Sequence, residues 1–86
     1  MKDQKTMFLN RIDSHLERDF DHRLTSKGDK EYGRFIIKHY KEMYIIFGGS
    51  NKFTKEEIEK IWIGIDRINK LLIDVGEKPE SNIEIV

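Results

Sequence analysis

Residues 54–76, TKEEIEKIWIGIDRINKLLIDVG, read as one long amphipathic helix with both ends marked. Thr54 and Glu57 form the T-x-x-E capping box. The hydroxyl accepts a backbone N–H one turn on, and the carboxylate accepts the N–H of the cap residue. Phe53 ahead of the cap and Ile58 in the first turn make a hydrophobic staple. Glu56 and Glu57 place negative charge at the positive end of the helix dipole. Ile58, Ile61, Ile65, Ile68, Leu72 and Val75 then recur at spacings of three and four, the rhythm of a helix packed on other helices. Trp62 and Leu71 widen this stripe. Gly76 suits the left-handed position after the last turn, and Pro79 forbids continuation. At 1.5 Å per residue the helix is roughly 32 Å long.

Working back toward the N-terminus, Gly48-Gly49-Ser50-Asn51 is a turn by composition. Before it, residues 29–47 read as a second helix with Asp29 as N-cap. Tyr32, Phe35, Ile36, Ile37, Tyr40, Met43, Tyr44, Ile46 and Phe47 cover an arc of roughly 200° on the helical wheel. A helix with so much apolar surface is expected at the centre, wedged between its neighbours or at a dimer seam. Residues 43–47 are rich in β-formers, which leaves a short strand as the alternative there. A first helix is expected over residues 3–24, with Leu9, Ile12, Leu16, Phe20 and Leu24 on one face. Residues 77–86 are expected to be a flexible tail. The whole is an all-α chain, a small three-helix bundle in a single domain, expected to self-associate as a dimer or larger assembly.

The totals bound the function. Eighty-six residues make one domain, and the formal net charge is zero with 37% charged residues. Neutrality argues against general nucleic-acid binding, although a local basic patch can still act. There is no cysteine, so disulfides, thiolate metal sites and cysteine nucleophiles are excluded. No apolar run has the length of a membrane span or a signal peptide, so a cytoplasmic protein with no membrane partner is expected. The chain has no alanine, whereas isoleucine and lysine abound, as AT-rich coding gives. In size, helicity and composition it resembles small phage-encoded or accessory inhibitors and small immunity proteins, groups defined by role.

Four constellations are candidates for function. Lys30, Arg34, Lys38 and Lys41 share one face of the second helix, with Lys27 close by. Like charges at i, i+4 repel by a few tenths of a kcal/mol each, so an anion or acidic partner is expected to relieve them. Ile45 and Ile63 are large apolar residues on charged faces, and Gly64 interrupts a strong helix. These three are the candidate interface. Gly33 is a second place for close helix approach. His15, Asp19 and His22, at i, i+4 and i+7, are a weak metal candidate without a fourth ligand. His39 lies inside the apolar arc and reads as a hydrogen-bonded, half-buried histidine.

No nucleophile elbow, phosphate-binding glycine loop or facing carboxylate pair is present. No cofactor is implied. The turn between the second and third helices is too long for helix-turn-helix DNA binding, and the third helix is acidic. The expectation is therefore a non-enzymatic regulatory or inhibitory protein that binds another macromolecule. The alternative is a binder of a phosphorylated small ligand, nucleotide or nucleic acid through the basic face.

Overall fold

The computed structural model describes residues 3–84, and these form a small three-helix bundle: α1 Gln4–Asp19, α2 Lys27–Ile46 and α3 Lys55–Asp74. A 3-10 turn, Gly49–Asn51, joins α2 to α3. Met1, Lys2, Ile85 and Val86 lie outside the described residues.

The caps explain where the helices start. Thr54 and Glu57 make the expected reciprocal box at α3. Asp3 caps α1 by accepting the Thr6 N–H at 2.8 Å. At α2 the cap is Ser26, and Asp29, expected as the cap, is instead the third helical residue and returns a bond to the Ser26 N–H. At the far end of α3, Gly76 adopts φ +83°, and the Glu77 N–H donates to Leu72 O at 2.9 Å while the Gly76 N–H donates to Ile73 O. That pair of bonds is a Schellman turn.

Two sequence expectations need correction. The first helix stops at Asp19, not residue 24. Phe20 and Leu24 are still buried, which is why they keep the helical phase, but they reach the core from an irregular link. Asp19 and Asp21 would both face the negative end of a longer helix, and Asp21 turns its carboxylate onto His22 Nδ1 at 2.6 Å. Residues 43–46 are helical, so the strand alternative falls.

The second correction concerns the centre. It is α3, not α2. Helices α1 and α2 each pack along α3, while their own backbones approach little. Gly64, buried in α3, lets α1 come so close that a Cβ there would stand 3.0 Å from Ile12 Cγ2. Gly33 does the same for α2, where a Cβ would meet Ile68 Cγ2 and Leu24 Cδ1 at 3.3 Å each. Ile61, Ile65, Ile68 and Leu72 of α3 are fully buried, together with Ile12, Ile37 and Tyr40. Aromatic side chains tie α2 to α1 and to the link after it: Phe8 meets Tyr40 edge-on at 5.8 Å between centroids, and Phe20 of the link stacks on Tyr32 at 5.5 Å.

Candidate functional site

The basic face of α2 is built as expected, but this chain's own tail lies on it. Glu77 stands 3.6 Å from Lys30 Nζ and 3.5 Å from Arg34 Nη2. Arg34 Nη1 donates to Glu80 Oε1 at 2.9 Å, and Lys41 Nζ donates to Ser81 Oγ at 2.7 Å. Lys38 is exposed and forms no ion pair among the described residues. The repulsion along α2 is thus relieved within the chain by two carboxylates three residues apart.

Helix α3 supplies the other side of this site. Asn69, buried to 7% exposure, grips one residue of the tail twice. Its Nδ2 donates to Glu80 O and its Oδ1 accepts the Glu80 N–H, both at 2.9 Å. Asn82 Nδ2 donates to Trp62 O at 3.0 Å, and the Ile83 side chain is buried. Residues 77–84, expected as a flexible tail, therefore lie along α2 and α3. Sequence reasoning missed Asn69. The available signal was a single amide on the flank of an isoleucine stripe, where burial demands partners.

The candidate interface residues do not form one surface. Ile45 is 73% exposed beside the turn and the tail, on a depression shared with Tyr44, Gly49 and Asn82. Ile63 is 59% exposed on a different depression, between α1 and α3, with Asp13 and Arg67. Gly64 is buried under α1, so it serves packing within the chain.

The weak metal candidate disperses. His15 Nδ1 shares a 3.0 Å hydrogen bond with the Tyr40 hydroxyl, Asp19 accepts from the Tyr32 hydroxyl at 3.0 Å, and His22 pairs with Asp21 beyond the end of α1. Among the described residues no group of three or more His, Cys, Asp or Glu is placed to hold a metal ion. Burial lowers the His15 pKa from its ordinary value, against the opposing pull of Asp19. Burial, then the bond to Asp19, raises that of Tyr32, and burial raises that of Tyr40.

Between α1 and α2 the structure leaves a cleft of about 260 Å³. Met7, Arg11 and His15 form one wall, and His39, Met43 and Phe47 the other. His39 is half-buried as expected, but among the described residues its ring makes no side-chain hydrogen bond and instead stacks on Phe35 at 6.3 Å. Phe35 itself is 62% exposed and Ile46 65%. The broad apolar arc of α2 is thus only partly covered within one chain. No helix among the described residues is long and apolar enough to cross a membrane. Comparisons with protein-family models, curated proteins and solved structures gave no match.

Proposed function

We propose that this is a small non-enzymatic regulatory or inhibitory protein of the cytoplasm that acts sterically, by contact with another protein. Apolar surface left on the outside of α2 supports this. Phe35, 62% exposed, stacks on His39 in one wall of the α1–α2 cleft, Ile46, 65% exposed, follows Met43 of that wall by three residues, and Met7 of the other wall is 45% exposed. Contiguous apolar surface rimmed by polar groups marks interaction sites. Two methionines in the cleft walls suit a surface that adapts to its partner. The same surface serves self-association.

The test is affinity capture from cells of the source, together with the solution mass of the purified protein over a wide concentration range. Recovery of a partner, or a mass that rises to a dimer, is expected. A strict monomer that captures nothing sinks the proposal.

The other reading, a binder of phosphorylated ligands or nucleic acid through Lys30, Arg34, Lys38 and Lys41, is weaker. Glu77 and Glu80 already supply the anions that this face called for. A thermal-shift screen with nucleotides and oligonucleotides at low salt should give no shift for the full chain.

A further inference from the structure

The α2–α3 face has the parts of a peptide-recognition groove. Asn69 holds an extended backbone by its N–H and C=O together, a grip that reads conformation without reading side chains. Specificity comes from what flanks it. Lys30 and Arg34 take a carboxylate at one position, Arg34 takes a second three residues on, and Lys41 donates to a hydroxyl next to that. Three residues after the second carboxylate, the buried Ile83 provides an apolar anchor. Past Ile83 the groove continues along Tyr44, Ile45 and Gly49.

The occupant differs from the rest of the bundle. It has no regular secondary structure, and side chains of α2 and α3 tie it down. Pro79, between the two glutamates, restricts the backbone and lowers the entropy lost on docking. Ile83 apart, the buried apolar core is drawn from residues 8–72. The segment leaves α3 through the Schellman turn at Gly76 and Glu77, and the tail contacts that displacement must break lie beyond that turn.

We propose that the α2–α3 groove is a binding site for extended acidic peptide segments of the pattern Glu-x-x-Glu-Ser-x-Ile, occupied in the resting chain by residues 77–84, and that a partner segment of this chemistry enters by displacing them. The groove lies on the opposite side of α2 from the α1–α2 cleft, so it stands independently of the function proposed above.

The probe is a fluorescein-labelled synthetic peptide of residues 76–84, followed by anisotropy. It is titrated against the full chain and against a full-length variant whose own segment has lost its anchors, Glu77→Lys, Glu80→Lys and Ile83→Asp. A short tether gives the attached segment an effective concentration in the millimolar range, so the variant should bind the probe about 10- to 100-fold more tightly than the full chain. Adding Arg34→Ala to the variant should weaken that binding at least tenfold. A variant that keeps its helical circular dichroism yet binds the probe no better than a scrambled peptide overturns the proposal. If the triple variant unfolds, Glu80→Ala carries the comparison. It should bind several-fold more tightly than the full chain, and equal binding overturns the proposal. Unfolding of both variants also overturns it, because the segment would then be part of the fold. The occupant is a segment of another protein, so light-scattering masses of the full chain and of Glu80→Ala should agree, and a dimer lost on Glu80→Ala overturns the proposal in favour of a second copy of this chain.

Discussion

Among the helical glycines, Gly64 leaves the least room for a side chain. Ile12, which faces it, is fully buried and has no room to give way. Overpacking of this kind costs about 1–3 kcal/mol, more than the helix propensity a side chain would add back. Gly64→Val should therefore lower the unfolding free energy by about that amount in a urea titration. Gly28 is the contrast: in the first turn of α2, a Cβ would meet only Ser26 Oγ at 3.8 Å. Gly28→Ala should stabilise by about 0.4–1 kcal/mol, through a less flexible unfolded chain. The sequence offered Gly64 as an interruption of a helix and left Gly28 ahead of one, and only the packing around each tells what a side chain there would cost. His15 carries a second residue-scale prediction. Its folded pKa is lowered, chiefly by burial, so the unfolded chain takes up the proton first as pH falls below the ordinary value of 6.5. Stability is fully present above that pH and declines from there down to the folded pKa. His15→Gln should flatten this part of the thermal-midpoint profile.

At the scale of elements, local chemistry settled most boundaries. The T-x-x-E box at Thr54 and the glycine at position 76 are both used as the sequence implied, since caps depend on residues within one turn. Thr54→Ala should cost about 1 kcal/mol. The other half of the box, Glu57, shapes the acid limb of the stability profile. Glu57 has its pKa lowered, first by the Thr54 backbone N–H and then by Lys5. It therefore stabilises the fold above the ordinary value of 4.5, and that contribution is lost as pH falls through the folded pKa. Glu57→Gln removes the titrating group and should flatten this acid loss, which thermal melts across pH 3–6 would show. Helix α1 was overrun because the wheel sees phase and not backbone. Phe20 and Leu24 sit where a continued helix would put them, yet belong to the link. Asp29 was misplaced by three residues because Ser26 and Asp29 are two halves of one box, and either alone reads as a cap.

For the whole molecule, what the sequence could not supply was which surfaces meet. The wide apolar arc of α2 pointed to a central helix, but width records only how much surface wants cover. Part of that arc faces outward, at Phe35 and Ile46. Phe35→Glu and Ile46→Glu should leave the melting temperature almost unchanged and abolish partner capture or the concentration-dependent rise in mass. Unfolding of either variant would show that these side chains serve the fold. The basic face was readable as four cations in a row. Its answer lay about 40 residues away, in a segment with too little pattern to place, because ion pairing between distant stretches leaves no periodicity. At 37 × 28 × 18 Å the molecule is a slab, and one extended segment suffices to cover much of a face.

That the backbones of α1 and α2 both lean on α3, and meet each other only through side chains, matters while the chain is being made. Synthesis proceeds from the N-terminus, and domains generally fold as units. Here the helix that holds the others is the last of the three to leave the ribosome. Until it emerges, α1 and α2 have no shared scaffold, and their isoleucines and aromatics stay open to chaperones. Folding of these three helices therefore waits for α3, and a ribosome stalled before α3 should carry a nascent chain that proteases cut freely.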